Sequence, residues 1–460
     1  IFMNETYYLT FKVKALENNS EWSKYKNVSA TCWVKAFSAM SAYRECVHYL
    51  KRENLKIQGL DDSIINVTRE IFIDRDIDLE HFDNAQKHGF SIFYLGVDES
   101  LDEPKFVKFE SDEKIDIGQI LKNKNSMDRH QFCLHPRAGD ECDKKIIKAH
   151  SIQNSQSLSS IAKDGHVYQL AHKYRHQIRT FSEYEKIGIN EASIFKGFCK
   201  KHDNEIFEPI DNARLEPNAE QIFLYAYRSL CKEIYQKYKV IQVLKENIPL
   251  MSTKDQEDLG WHLLGNKKGY EELIKIKKNY DATFLNKSFD KEILYLIFYS
   301  DTPMNLAFSS LIYPDYDFQE NLLQDLSDLK SDRDLITYFS APMNDGWGYV
   351  FAWHIQDNVS CEPFIISLGR TIETGISIEH TLFQYMILNS ENHALSPSWW
   401  ENLEQCERSQ IIYALNHKLD IMSRKTSSQE NDDIPDVCEW TFNDILTNIE
   451  WFKEMLESTK

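Results

Sequence analysis

Residues 133–152 read CLHPRAGDECDKKIIKAHSI, and residues 197–207 read GFCKKHDNEIF. In the first stretch two cysteines flank LHPRAGDE, whose Pro, Gly and Asp suit a turn that brings two thiols together. An apolar run follows and ends at Ala149-His150. In the second stretch Cys199 and His202 have the C-x-x-H spacing that places two ligands on a loop entering a helix. Zinc takes four soft or borderline ligands, commonly as two pairs, each from one tight turn. Cys133 with Cys142, and Cys199 with His202, give a closed structural site of Cys3His type. A set that draws instead on His135, His150 or His166 is the alternative metal reading. Three buried thiols beside a surface histidine is the reading without metal.

Working outward, 460 residues allow two to four domains, each with its own core. No apolar run reaches the roughly 18 residues needed to cross a bilayer. The amino terminus, IFMNETYYLTFKVKALENN, lacks the basic, apolar and small-residue regions of a secretory signal. A cytoplasmic protein with no membrane partner is therefore expected. The nine cysteines are too sparse for a disulfide scaffold. Cys32, Cys46, Cys231, Cys361, Cys406 and Cys438 sit singly in apolar or helical contexts and read as small hydrophobes. Only Cys133, Cys142 and Cys199 keep company with histidines.

A net charge of −19 excludes a chain whose whole surface is a nucleic-acid footprint, because counterion release needs Lys and Arg facing phosphate. Residues 133–202 depart from that balance. They hold 12 Lys and Arg against 7 Asp and Glu, and six of the 15 histidines. Positive charge and metal-binding groups are concentrated in one segment.

The pattern predicts an α+β multidomain chain. Residues 1–110 alternate strand and helix signals and read as an amino-terminal α+β domain. A polar stretch over 98–116, DESLDEPKFVKFESDEKID, reads as a linker or an edge. Periodicity weakens over 111–210, the zinc-binding segment, which is poor in core-forming residues and gains stability from a metal. Residues 211–285 read as a helical hairpin: Ile222, Leu224, Tyr225, Tyr227, Leu230, Ile234 and Tyr238 lie at helical spacing, and 255–280 supply the partner helix. Arg228 on this hairpin reads as part of a solvated or interhelical face. Residues 286–460 return to mixed α+β. There LAFSSLIYP, LITYFSAPM, GWGYVFAWHIQ and EPFIISLG read as strands, with a hairpin turn at Asp345-Gly346. EHTLFQYMILNSENHAL, PSWWENLEQCERSQIIYALNHKLDIM and NDILTNIEWFKEMLES read as helices, and KTSSQENDDIPD as a loop. The chain has neither a phosphate-binding G-x-x-x-x-G-K-[ST] loop nor a nucleophile elbow or H-E-x-x-H pair.

Cys133, Cys142, Ala149-His150-Ser151-Ile152, Cys199-Lys-Lys-His202-Asp203 and Phe207 together resemble the HNH, or ββα-metal, nucleases, over about 75 of the 460 residues. The resemblance implies a treble-clef-like zinc module whose zinc is structural, with His150 as general base. It also implies a second, hydrolytic cation, Mg2+ or Mn2+, held with the help of Asp203 or His202. Asn154 or His166 would occupy the position that orients the base, and Lys144, Lys145, Lys148, Arg175 and Arg179 would contact phosphates. Such modules set among other domains resemble bacterial anti-phage defence proteins. The expectation is a metal-dependent endonuclease acting on DNA, or on RNA, through the local basic segment. The alternative is a zinc-stapled scaffold or sensor whose carboxy-terminal domain binds a partner protein.

Overall fold

Tyr7, Leu9, Phe11 and Val13 alternate with polar residues and Tyr8, which calls for a strand with one face turned to a core. All four are buried in strand β1 (Glu5–Ala15). In a computed structural model of the protein the residues described are 5–16, 27–36, 38–60, 64–72, 76–97, 131–139, 141–143, 145–175, 179–250, 253–326, 331–373, 376–418 and 434–459. The sequence readings for 98–116, for most of KTSSQENDDIPD, for 111–130 and for Lys144 lie outside them. The chain divides into two units: residues 1–105 with 417–424, and residues 106–416 with 425–460.

In the first unit β1 pairs antiparallel with β2 (Asn27–Ala36), β3 (Leu55–Leu60) and β4 (Ile65–Asn66), and β2 pairs with β5 (Phe90–Val97). Helix α1 (Ala39–Arg52) starts in a capping box: the Ser41 amide donates to Ser38 Oγ and the Ser38 amide to Ser41 Oγ. It buries Ala42, Cys46 and Leu50 on the face that carries Leu9 and Phe11. Phe82 and Ala85 of helix α2 (Asp76–His88) join Trp33 and Phe72 in a core to which Tyr8, from the other face of β1, adds.

The second unit is organised by an eight-stranded antiparallel sheet in the order β15-β10-β13-β12-β11-β14-β7-β8. Its members are β7 (His166–Arg175), β8 (Arg179–Gly188), β10 (Ile293–Ser300), β11 (Leu306–Ile312), β12 (Ile336–Met343), β13 (Gly346–His354), β14 (His393–Leu395) and β15 (Asp444–Thr447). Two further short strands, β6 (Ala149–His150) and β9 (Ile194–Phe195), pair with each other outside it, and helix α3 (Lys200–Asp211) follows β9. Helices α4 (Ala219–Asn247) and α5 (Thr253–Asn286) form the hairpin expected from the apolar spacing. Its residues Phe223, Tyr227 and Leu273 share a core with Ile297, Phe339 and Val350 of the sheet and with Leu134, Phe198 and Phe207 around the cysteines. The opposite face of the sheet is covered by α6 (Asn358–Glu373), α7 (Ile378–Asn389), α8 (Pro397–Asn402), α9 (Gln405–Lys418) and α10 (Glu450–Thr459). Both faces being covered, every residue of β12 is buried, as are all but the first of β13. Trp399 and Trp400 belong to that second core.

Several readings are corrected. EPFIISLG is not a strand but lies within α6. Buried Cys361, Phe364, Ile365 and Leu368 have i, i+3, i+4, i+7 spacing, a helical stripe hidden inside a short apolar run. NDILT begins with β15 before α10, because its backbone adds an edge to β10. Strand β10 itself, ILYLIFYS, went unread. The boundaries set at 210/211 and 285/286 run through the second unit, since β7 and β8 from the zinc-binding segment extend the carboxy-terminal sheet by pairing β7 with β14. Tyr225, Tyr227 and Arg228 are buried, so the solvated reading of that helix face fails. Among the described residues no helix is long and apolar enough to cross a membrane.

The β12–β13 turn is Asn344-Asp345, with Met343 opposite Gly346. A Cβ on Gly346 would stand 2.0 Å from the Ser300 carbonyl oxygen and 3.0 Å from Asp301 Cα, and neither is the end of a flexible side chain. Gly346→Ala is expected to destabilise the second unit by about 2–3 kcal/mol through overpacking. A lower denaturation midpoint would record it, and an unchanged midpoint would refute the account.

Candidate functional site

Cys133 and Cys142 border a tight loop. The Ala138 amide donates to the His135 carbonyl at 2.9 Å and the Cys142 amide to the Gly139 carbonyl at 3.0 Å, with Gly139 at φ +131°. This loop lies against the approach to α3, where the Leu134 amide donates to the Gly197 carbonyl at 2.9 Å and Ile146 bridges Cys199. Cys199 is the N-cap of α3, and His202 lies in its first turn. The four donor atoms of Cys133, Cys142, Cys199 and His202 lie within 4.8 Å of one another. His202 Nδ1 stands 3.5 Å from Cys133 Sγ and 3.5 Å from Cys142 Sγ. With Zn–S near 2.3 Å and Zn–N near 2.0–2.1 Å, a tetrahedral ion gives S···N edges of about 3.5 Å. The cluster therefore has the dimensions and the donor set of a structural Cys3His zinc site.

Electrostatics point the same way. Burial pushes the Cys133 thiol up to about 12. At Cys199 burial also opposes ionisation, but backbone amides at His202 and Asp143 outweigh it and the thiol is lowered. Without a cation the cluster favours ionisation of Cys199 over Cys133. A divalent ion removes that limit, because a coordinating thiol is deprotonated outright.

His135, His202 and Glu205 also approach one another. The two imidazoles are stacked, with centroids 3.8 Å apart and planes 5° from parallel. Lone pairs lie in the ring plane, so the nitrogens of stacked rings point side by side rather than at one ion. His135 Nδ1 already accepts from the Arg137 amide at 2.9 Å, and burial lowers this imidazole to about 4. It is a neutral packing partner of His202.

On the opposite side of α3 lies a cleft of about 430 Å³ lined by Lys148, Ala149, His150, Asn154, Ser155, Ser159, Ile189, Asp203, Asp211, Asn212 and Arg228. Strand β6 contributes Ala149 and His150 to it, and α3 contributes Asp203 and Asp211. Ala149 pairs with Phe195 and His150 with Ile194, and the 43 residues between the strands include the β7–β8 hairpin. The long stretch from His150 to Cys199 thus contains a hairpin that extends the large sheet. His150 Nε2 is 3.2 Å from the Ile189 carbonyl oxygen. A carbonyl can only accept, so Nε2 carries the hydrogen and Nδ1 is the basic nitrogen. Burial lowers the His150 pKa. The imidazole is neutral near pH 7, with Nδ1 unbonded among the described residues.

Asp203, next to His202 on α3, is buried, and Oδ1 has no hydrogen-bond partner among the described residues. Burial raises its carboxyl to about 6 against the opposing pull of the Arg228 guanidinium. Asn154 opens a π-helical turn over 154–158, in which the Leu158 amide reaches back to the Gln153 carbonyl at 3.0 Å. Its Nδ2 donates to Asn190 Oδ1 at 3.1 Å while its own Oδ1 is buried and unbonded. The structure thus brings His150, Asn154 and Asp203 to one cleft. His166 does not line it: it opens β7, exposed, with Nδ1 2.7 Å from the Asp164 carbonyl oxygen. Lys148 lines the cleft and pairs with Glu191 at 2.9 Å, while Lys145 is exposed and the side chains of Arg175 and Arg179 lie outside the described residues.

Asp211 and Arg228 were not singled out as site residues. Arg228 carried one signal: a charge among residues at buried helical spacing on α4, where an unpaired charge is costly. Asp211 carried none beyond its place near the end of α3.

No family model matches the chain, and neither a curated protein nor a solved structure matches it.

The purified protein is expected to carry one zinc ion per chain by elemental analysis. Because metal binding at such a site is coupled to folding, Cys199→Ser should lose the ion and lower stability by several kcal/mol. Full stability with no bound metal would overturn the assignment.

Proposed function

We propose that the protein is a metal-dependent nuclease of HNH type that hydrolyses nucleic-acid phosphodiesters. The observation that carries this reading is the pairing, in one cleft, of an imidazole fixed through Nε2 with a buried carboxylate whose Oδ1 has no partner among the described residues. The first is the arrangement of a general base, and the second that of a group awaiting a cation.

In this reading the Cys3His cluster holds zinc as a staple. Its four ligands leave no open position, so it takes no part in hydrolysis. Asp203 would hold a hydrolytic cation, Mg2+ or Mn2+, which supplies charge stabilisation at the phosphate when bound. His150 Nδ1 accepts a proton from water as the water oxygen bonds to phosphorus. The phosphorus–oxygen bond to the leaving sugar then breaks, and that oxygen takes a proton from solvent. The Ile189 carbonyl keeps the imidazole in the tautomer this requires. Asn154, the counterpart of the family's middle position, holds the 190 loop that carries Ile189. A place among bacterial anti-phage defence proteins, with the acidic remainder of the chain limiting indiscriminate DNA contact, belongs to the same proposal.

His150→Ala should keep zinc and the thermal midpoint and lose about 10²–10⁴-fold in cleavage of plasmid DNA or RNA in Mg2+ or Mn2+. Wild-type protein that cleaves neither substrate in either cation defeats the nuclease reading. Loss of zinc from the variant would instead make His150 a ligand.

A further inference from the structure

Resting on the nuclease reading, we propose that Arg228, from the helical hairpin rather than from β6 or α3, binds the phosphate of the substrate in the cleft. The guanidinium is 3% exposed, its Nη2 bonds Asp211 Oδ1 at 2.7 Å, and its carbon lies 4.0 Å from the centre of the Phe207 ring. It is held rigidly by a carboxylate on one side and an aromatic face on the other. Nε nonetheless has no acceptor among the described residues. A buried arginine held only to bond Asp211 would leave a desolvated donor unsatisfied, which is costly.

The cleft also holds the complementary deficit. Asp203 Oδ1 and Asn154 Oδ1 are acceptors without donors among the described residues. An unbonded cationic donor and unbonded acceptors around one cavity call for a ligand that offers an anionic oxygen and a positive centre together. A phosphate bound to a divalent cation is such a ligand: its oxygens serve Arg228 and its cation serves Asp203. A lone cation leaves Arg228 unsatisfied, and a lone phosphate repels Asp203.

The test is binding of a fluorescein-labelled single-stranded oligonucleotide, read by anisotropy in Ca2+ over a series of salt concentrations, for the full chain and for Arg228→Gln and Arg228→Lys. Zinc content and thermal midpoint are recorded for each. Arg228→Gln is expected to bind at least 10-fold more weakly, and the slope of log affinity against log salt should fall by about 0.7, the loss of one phosphate contact. A purely structural role would not change that slope. Arg228→Lys keeps the charge without the planar fork and should lose about 10-fold. Wild-type protein that does not bind, or a folded Arg228→Gln with unchanged affinity and slope, overturns the proposal. Should Arg228→Gln lose zinc or unfold, a folded Arg228→Lys with wild-type affinity overturns it too. Arg228-dependent binding without cleavage in Mg2+ or Mn2+ sinks the nuclease reading and leaves the phosphate site standing.

Discussion

The convergence of three sulfurs and one imidazole at the start of α3 is the constraint from which the centre is built. Cys199 is both donor and N-cap, so the ion that would join the thiols also fixes where the helix begins. With its start fixed, the 3.6-residue turn sends consecutive residues to different sides. His202 turns to the sulfurs and Asp203 to the cleft. A slip of one residue would exchange the imidazole of the cluster for the carboxylate of the cleft, so the geometry of the Cys3His cluster and the lining of the cleft are one specification.

The cleft is also tied to the large sheet through polar groups. Ser151 and Ser193, on the chain leaving β6 and entering β9, share a 2.6 Å hydrogen bond. Ser193 Oγ donates to Asn392 Oδ1 at 2.7 Å, while Asn392 Nδ2 donates to Ser151 Oγ at 2.9 Å and to the Ser309 carbonyl at 2.8 Å. Ser309 Oγ lies 2.5 Å from Ser229 Oγ, one residue beyond Arg228 on α4. Each of these groups is buried, and a buried polar group left unpaired costs more than the bond it would make. The network therefore specifies one arrangement of three segments distant in sequence. The His150 strand, the helix bearing Arg228 and the loop before β14 are registered together.

How much of this was legible beforehand follows from the range of the interactions. The thiol pairs were readable because two ligands on one turn leave a short spacing, as in Cys199-Lys-Lys-His202. The helical hairpin was readable because its apolar stripe repeats over many turns. What could not be read depends on partners far away in the chain. The β7–β8 hairpin looked like an irregular zinc-binding segment because the strand it pairs with, β14, is three residues long and more than 200 residues later. EPFIISLG looked like a strand because its helical stripe begins at Cys361, outside the apolar run. Arg228 reads as part of a solvated or interhelical face because Asp211, Phe207 and the cleft come from a different element.

Charge balance connects the acidic composition to the chemistry. Lys148 is paired with Glu191 and Arg228 with Asp211, and His150 is neutral, so the lining carries no positive excess near pH 7. In a chain of net charge −19, such a cleft does not attract a polyanion by field alone. Adding one divalent cation beside Asp203 changes the local sum by two positive charges, a larger change than any side chain there can make. Anion binding would then depend on the cation, and the cation on a carboxylate whose burial already penalises it when charged and alone. Each component is unfavourable without the other. That mutual dependence would restrict phosphate to the proposed site beside His150, in a chain whose net charge otherwise repels it.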